Sequence, residues 1–328
     1  MENKTRFAIE AAAIAVSFAA IVALVVTLIV VVPSNDGGGP SSPDNAFPEK
    51  FSAPYVLLSN VSRTNLTGGP SSVYVLAFVL AESDGDLVWD DRAGLERPDL
   101  VRDVEALRAR GGDVIVSSGG ADGLEIAGAF ETPGPVTAAY QRVVDAYNLT
   151  WFDLDVEGPG LETAATKRRN VAVAALQKSN PRLSVSFTLP CGIDGLAMRA
   201  MDLLGDAAKT GVRVDVVNCM LMENDRGNSA PFVIAGATRA KEQLGALGLD
   251  GTKIGICVKI GVNDRGEPFT LEDAREVAAF AEKTGWIRLL SFWSLGRDEG
   301  SCAGADKSAE SCSGLKQTSH AFANALKL

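Results

Sequence analysis

Histidine is nearly absent from this sequence of 328 residues, in which His320 is the single copy. A Ser-His-Asp hydrolase and a histidine-built metal site both need histidine side chains, so neither is expected. Cysteine pairs with the Cys-x-x-Cys spacing of zinc and thiol-redox motifs are also missing. We therefore expect no cofactor, and any acid–base chemistry must come from carboxylates.

Positive charge is also in short supply. The chain carries 31 Lys and Arg residues against 41 Asp and Glu residues, for a formal net charge of −10 and a pI of about 4.8. This balance argues against a nucleic acid or an anionic membrane surface as a partner. It places no constraint on the binding of an uncharged polymer.

One uncharged apolar run occupies residues 11–32. As a helix its 22 residues would extend about 33 Å, enough to cross the hydrocarbon core of a bilayer. Basic residues precede it, which favours a cytoplasmic tail and translocation of the remainder of the chain. We expect residues 1–32 to form a tail and a transmembrane signal-anchor, residues 33–48 a flexible Pro/Gly/Ser linker, and residues 49–328 the folded domain. A cleaved signal peptide, with secretion of the domain, is the alternative.

The cysteines fit a translocated domain. Cys302 and Cys312 lie in a Gly/Ser-rich stretch and would close a short loop, so we expect a disulfide between them. Cys191, Cys219 and Cys257 fall at or within predicted strands, where a thiol usually acts as a small buried hydrophobe.

The chain after the linker alternates strand-like apolar segments with helix-like segments. Pro98 is placed to open one helix, and Thr270 with Asp273 forms an N-cap pair ahead of another. Eight strand–helix units predict a closed (β/α)₈ TIM barrel. A doubly wound open sheet is the alternative, but no Gly-x-Gly-x-x-Gly follows the first strand. The predicted strands are 53–58, 73–80, 113–118, 151–157, 183–189, 214–222, 253–259 and 288–293.

Three carboxylates alternate with apolar residues in the fourth predicted strand, at Asp153, Asp155 and Glu157. In an extended strand they project to one side, about 7 Å apart, and repel one another. The solvated face of an edge strand is the alternative, but strands of an α/β fold are buried on both faces. Buried acids are costly unless they serve a site, and barrel enzymes place their sites at the C-terminal strand ends. Glu157 lies at such an end.

Four motifs in order along the chain resemble those of glycoside hydrolase family 18, the chitinases and their relatives. Asp153–Glu157 resembles the end of the signature Asp-x-x-Asp-x-Asp-x-Glu, although Thr150 replaces its first acid. Ser117–Gly120 resembles the Ser-x-Gly-Gly motif of the third strand. Met220–Met222 and Ser291–Ser294 resemble the sixth-strand methionines and the eighth-strand tryptophan. The resemblance covers the chain from about Phe51 to its end.

The resemblance implies hydrolysis of β-1,4 bonds next to N-acetylglucosamine with retention, the acetamido oxygen of the substrate acting as nucleophile. Glu157 would be the general acid, its pKa raised by the like charge of Asp155. Asp155 would turn toward the acetamide, orient it and offset the positive charge of the oxazolinium. Asp153, deeper in the barrel, would share a proton with Asp155, so that the three acids titrate as one group.

The resemblance also implies residues that contact the sugar. Trp293 would form the apolar floor under the reacting sugar, with a core aromatic as the alternative. Trp89, in an acidic loop, would be either an outer subsite platform or a cap on its own loop. The remaining expected substrate-binding residues are Met220, Met222, Ser117, Gly119, Glu223 and Asn224.

The chain departs from the family where relatives place Asp-Tyr or Tyr-Asp and hold the acetamido oxygen with the tyrosine hydroxyl. Glu223 and Asn224 occupy these positions here. Asn224 has an amide to donate, and Glu223 can replace the acid. Loss of a positioned donor typically costs about 10²-fold in rate, so we expect reduced or altered activity.

The resemblance leads to three candidate functions. The leading one is a membrane-tethered, outward-facing and monomeric chitinase-type domain acting on chitin or other N-acetylglucosamine oligosaccharides. The second is a catalytically silent sugar-binding barrel, which Asn224 favours and the intact acids disfavour. The third is an endo-β-N-acetylglucosaminidase acting on glycoproteins.

Overall fold

The computed structural model describes residues 47–60 and 66–328, which form an α/β domain on parallel strands. All eight predicted strand positions are confirmed. The strands are β1 Phe51–Ser52, β2 Tyr55–Leu57, β3 Val73–Ala81, β4 Leu87–Trp89, β5 Asp113–Gly119, β6 Trp151–Asp155, β7 Ser184–Gly192, β8 Gly195–Leu196, β9 Val216–Met220, β10 Lys253–Lys259 and β11 Ile287–Trp293.

The residues predicted as the first strand form two short strands, each paired with a different neighbour. Together they connect the two ends of the sheet, which therefore curls into a TIM-like barrel. β1 pairs in parallel with the last strand, β11, and β2 pairs in parallel with β3. Between these ends the order is β11-β10-β9-β7-β6-β5-β3, every pair parallel. An open doubly wound sheet does not fit this order. The short strands β4 and β8, which the pattern analysis missed, run antiparallel to β3 and β7.

Helices follow most of the strands and begin where the sequence predicts. Pro98 is the first residue of one helix, and Thr270 forms a capping box with Asp273 ahead of another. The helices are α1 Pro98–Arg108, α2 Ile126–Ala129, α3 Pro133–Tyr147, α4 Thr163–Ser179, α5 Met198–Thr210, α6 Ala230–Ala246, α7 Leu271–Lys283 and α8 Ala321–Ala325, with 3₁₀ turns at Leu58–Asn60, Gly158–Leu161 and Leu295–Arg297.

The predicted membrane anchor, residues 11–32, lies outside the described residues. Within 47–60 and 66–328, none of the helices combines the length and the apolar character that crossing a bilayer requires.

Alternation along the strands divides the apolar core into two layers. Val73, Val75 and Ala77 of β3 belong to the cluster inside the barrel, whereas Tyr74 and Leu76 pack in the layer shared with the helices. Both faces of the strand are therefore buried, as in other parallel sheets.

An aromatic cluster fills the barrel at the N-terminal ends of its strands. Phe47 and Phe51 pack on Trp151, with ring centroids 5.1 and 5.4 Å from it, and all three side chains are buried. The Trp151 indole N–H donates to Ser186 Oγ at 2.9 Å. This cluster covers the end of the barrel opposite the C-terminal ends of the strands.

Trp89 lies near the C-terminal end of β3, but its side chain packs in the layer shared with the helices and not in the cleft, so the outer subsite platform expected from the sequence is wrong. The side chain has no exposed surface, and its N–H donates to Leu95 O and to Tyr147 Oη at 3.2 and 3.1 Å. The antiparallel pairing of β4 with β3 brings Trp89 against Tyr147, the last residue of α3, with ring centroids 5.6 Å apart. Trp89 thus packs within its own hairpin, the second of the two alternatives.

We expect Trp89→Ala to lower the free energy of unfolding by about 3–5 kcal/mol, because it empties a fully buried aromatic site. Urea unfolding monitored by circular dichroism measures this loss. Sugar binding at a temperature where the variant is folded should match that of the parent. Weaker sugar binding by the variant, without a loss of stability, would show instead that Trp89 contacts the sugar.

Candidate active site

A cleft of about 790 Å³ opens at the C-terminal end of the barrel, and Asp155 and Glu157 line it. β6 carries Trp151, Asp153 and Asp155 on one face. The two acids therefore lie between the aromatic cluster at the N-terminal ends of the strands and the opening of the cleft. Glu157 continues this alternation just beyond the strand, where extended backbone (φ −126°, ψ 164°) leads into the 3₁₀ turn. The three acids thus form one row from the interior to the cleft.

Asp153, the deepest acid, is held by a shell of hydroxyl groups. Ser186 Oγ donates to its Oδ1 at 2.5 Å and Ser117 Oγ to its Oδ2 at 2.7 Å. Thr188 Oγ1 lies 3.0 Å from both oxygens, and Tyr55 Oη lies 3.3 Å from Oδ2. Burial raises the pKa of Asp153, while these hydrogen bonds, that of Ser186 foremost, lower it. The shell allows a charge to be buried at this depth.

Asp155, the middle acid, is buried without such a shell. Its Oδ1 has no hydrogen-bond partner among the described residues, and the side chain is 4% exposed. Burial raises the pKa of Asp155 well above its usual range, and the charges of Glu157 and Asp153 raise it further. A buried carboxyl oxygen without a partner at the base of a cleft can accept a hydrogen bond from a ligand N–H.

Glu157, the outermost acid, is half-buried and faces the cleft. Burial raises its pKa most, and the carboxylate of Asp122 raises it further. Glu157 and Asp155 repel each other, as the sequence predicts, and this repulsion raises the pKa of Asp155. A raised pKa suits a carboxyl group that must donate a proton.

Three aromatic rings form one wall of the cleft. Trp293 stacks on Phe78 with ring centroids 5.6 Å apart and planes 10° apart, and Tyr55 lies 6.0 Å from Trp293. Met220 and Met222 line the same cleft and pack against this cluster. Trp293 is thus placed at the cleft rather than in the core, as the sugar-floor interpretation requires.

Asn224 and Glu223 also line the cleft, but in unequal roles. Asn224 Oδ1 accepts the backbone N–H of Arg226 at 3.0 Å, which leaves its amide N–H₂ as the group to donate to a ligand. Glu223 Oε2 accepts the backbone N–H groups of Asp264 and Arg265 at 2.8 and 3.1 Å. Its other oxygen pairs with Lys259. Glu223 therefore supports the loop after β10, and of the two residues Asn224 is the one that can donate to a sugar.

Ser117 and Gly119 lie on β5 beside Asp153 and Asp155, and neither lines the cleft, so their expected role in sugar binding is corrected. Ser117 is fully buried and bonds Asp153. Gly119 has φ +111°, and a Cβ atom there would stand 2.0 Å from the backbone oxygen of Asp155. The motif lets β5 approach β6 closely and supplies a hydroxyl, both of which serve the acid row.

Sequence reasoning missed several cleft residues. Lys259 ends β10 on the same face as Cys257, and a lysine in an apolar strand is a local feature that pattern analysis can find. Asp122 reaches the cleft from the loop after β5, two residues beyond the Ser-x-Gly-Gly motif, and Glu310 reaches it from a loop far along the chain that no local pattern marks.

Comparison with family models gives no match. Two curated relatives are each 30% identical to this chain over 78% of its length: a probable bifunctional chitinase/lysozyme from Escherichia coli, matched over 286 residues, and endochitinase 11 from Metarhizium anisopliae, matched over 284. The matched segment spans only 32% and 54% of these relatives.

A solved structure matches nearly end to end. The catalytic domain of the hyperthermophilic chitinase from Pyrococcus furiosus is 30% identical, with a TM-score of 0.79, over 85% of this chain and 94% of that one. A match of this extent, on a chain that carries the acid signature at the mouth of its barrel, shows that this protein belongs to glycoside hydrolase family 18, the chitinase family.

Proposed function

We propose that this protein is a chitinase that cleaves β-1,4 bonds of N-acetylglucosamine polymers or oligomers with retention of configuration. The observation that carries the proposal is the unpartnered, buried Oδ1 of Asp155 at the base of the cleft, between a fully bonded Asp153 and a half-buried Glu157. An acetamide N–H is a group that this oxygen can accept. The matched Pyrococcus furiosus chitinase has also been crystallised with chito-oligosaccharides, which supports this class of substrate.

The proposed reaction uses the row in order. Glu157 gives its proton to the glycosidic oxygen as the C1–O bond breaks, and the substrate's acetamido oxygen bonds to C1 to form an oxazolinium ion. Asp155 accepts the acetamide N–H and offsets the positive charge that develops. Glu157, now a carboxylate, removes a proton from the water that opens the ring and so regains its own proton.

The acetamido oxygen needs a donor in place of the family tyrosine. We propose that the amide N–H₂ of Asn224 supplies it, since Glu223 is engaged with Lys259 and the neighbouring backbone. A neutral amide at this position avoids placing a second positive charge beside the oxazolinium. Lys259 is not an alternative donor here for the same reason.

A silent sugar-binding barrel remains the second candidate, favoured by the missing tyrosine. The two candidates predict different outcomes for a single substitution at Glu157.

We expect Glu157→Gln to lower turnover of chito-oligosaccharides about 10³-fold, because the variant has no proton to give to the leaving oxygen. Chromatographic analysis of the products measures the rate. Glu162→Gln is the matched control, since the same change is made five residues away on an exposed side chain. Equal binding in parent and variant with turnover in neither would favour the silent barrel.

We expect kcat/KM to fall as pH rises through the raised pKa of Glu157, because only the protonated acid reacts. Asp122→Asn should move this alkaline limb to lower pH, since it removes a negative neighbour that raises that pKa. The apparent value belongs to the coupled acids together. A profile that stays flat from about pH 4 to pH 9 contradicts the role of Glu157.

We also propose that residues 11–32 tether the domain, with the barrel on the translocated side of the membrane. The disulfide between Cys302 and Cys312 supports an oxidising compartment. We expect the protein to stay with the membrane pellet after carbonate extraction and to be degraded by protease added to intact cells. A soluble form whose N-terminus lies after residue 32 would show that the apolar run is a cleaved signal instead.

A further inference from the structure

A loop closed by a disulfide, residues 302–312, lies after the last strand and reaches the cleft. The Cα atoms of Cys302 and Cys312 are 6.0 Å apart, and an antiparallel bridge joins Ala309 to Cys312. We refer to this segment as the disulfide loop. Its residue Glu310 lines the cleft alongside Trp293.

Arg297 fastens the disulfide loop to the barrel. Its guanidinium has no exposed surface; Nη1 donates to Ser308 Oγ at 2.8 Å and to the backbone oxygen of Ala309. Nη2 donates to the backbone oxygens of Ile260 and Val262, just after β10, at 2.9 and 2.7 Å. The residues immediately before Glu310 are thus held by a buried side chain, not merely by the covalent link.

Glu310 Oε2 accepts the indole N–H of Trp293 at 2.9 Å. Phe78 lies stacked 5.6 Å from the same indole, and Tyr55 lies 6.0 Å away. The nitrogen edge of the ring is therefore fixed by the disulfide loop, and a face of the ring is packed against the aromatic wall. Trp293 is only half-buried, so packing alone does not enclose it.

We infer that Glu310 is a positioning residue, which holds the Trp293 indole in the plane on which the sugar stacks. The inference rests on the proposed function for its meaning, since Trp293 is the sugar floor only if the cleft binds amino-sugars. Sugar–aromatic stacking needs the ring at a defined angle, and an indole held at both its nitrogen edge and its face loses little freedom on binding. The disulfide loop is therefore part of the binding site.

We expect Glu310→Ala in the full chain to raise KM for chito-oligosaccharides about fivefold, with kcat within about twofold of the parent, because one charge-assisted hydrogen bond is lost. Glu310→Gln keeps an acceptor oxygen and should give a KM between the two. Asp306→Ala is the matched control, since it removes an exposed carboxylate from the same loop. Cys302→Ser with Cys312→Ser should change KM in the same direction as Glu310→Ala.

Trp293→Phe provides the decisive background, because phenylalanine has no N–H to give. When Glu310→Ala is added to Trp293→Phe, KM should not rise further. If Glu310→Ala raises KM by the same factor in the parent and in Trp293→Phe, the inference is overturned. A KM for Glu310→Ala equal to that of the parent would overturn it as well.

The indole N–H signal of Trp293 in ¹⁵N-tryptophan-labelled protein tests the contact without any sugar. Trp293→Phe identifies the signal by its disappearance, and Glu310→Ala should shift it while Asp306→Ala leaves it in place. An unmoved signal in Glu310→Ala would refute the contact. If the parent neither binds nor cleaves chito-oligosaccharides, the proposed function fails, and this signal still decides whether Glu310 positions Trp293.

Discussion

Like-charge repulsion between buried acids is the constraint on which this structure depends. Asp153 and Asp155 lie one above the other on the same face of β6, both nearly without exposure. The two acids have different surroundings. Four hydroxyl groups surround Asp153, whereas Oδ1 of Asp155 has no hydrogen-bond partner among the described residues. Because Oδ1 of Asp155 lacks a hydrogen bond from the protein, it is free to accept one from a ligand, as a binding site for an amide requires.

A similar difference between two neighbouring residues appears at Glu223 and Asn224, where the tyrosine of the family is missing. Glu223 has its backbone at φ +53°, a region that non-glycine residues seldom adopt, and its carboxylate is bonded to the loop after β10 and to Lys259. Asn224 comes next along the chain and faces the cleft. The replacement of an acid and a tyrosine by Glu and Asn therefore changes the wall of the cleft as a unit, with one residue supporting the loop and the other facing the ligand.

The success of sequence reasoning here depended on the range of the interactions involved. The eight predicted strand positions, the acid row and the disulfide rest on alternation and short spacings, which are visible along the chain, and these were located correctly. For Trp89 the sequence left two alternatives open, and only the antiparallel pairing of β4 with β3, which was not predicted, decides between them. Glu310 was missed because its partner Trp293 is 17 residues away and meets it only through the fold. Ser117 and Gly119 were found, but Ser117 bonds Asp153 below the surface of the cleft and neither residue lines it.

The aromatic cluster of Phe47, Phe51 and Trp151 has a consequence for how the domain can be handled. Phe47 precedes the first strand, yet its ring is part of the barrel interior and nearly without exposure. A shortened version that starts at Phe51 would lack the Phe47 ring that packs on Trp151. The N-terminal end of the barrel would then be less well packed, and β6, which carries the acids, would be less rigidly held. The chain also enters the domain at the end remote from the cleft, so a fusion partner joined ahead of Phe47 leaves the mouth open to a long polymer.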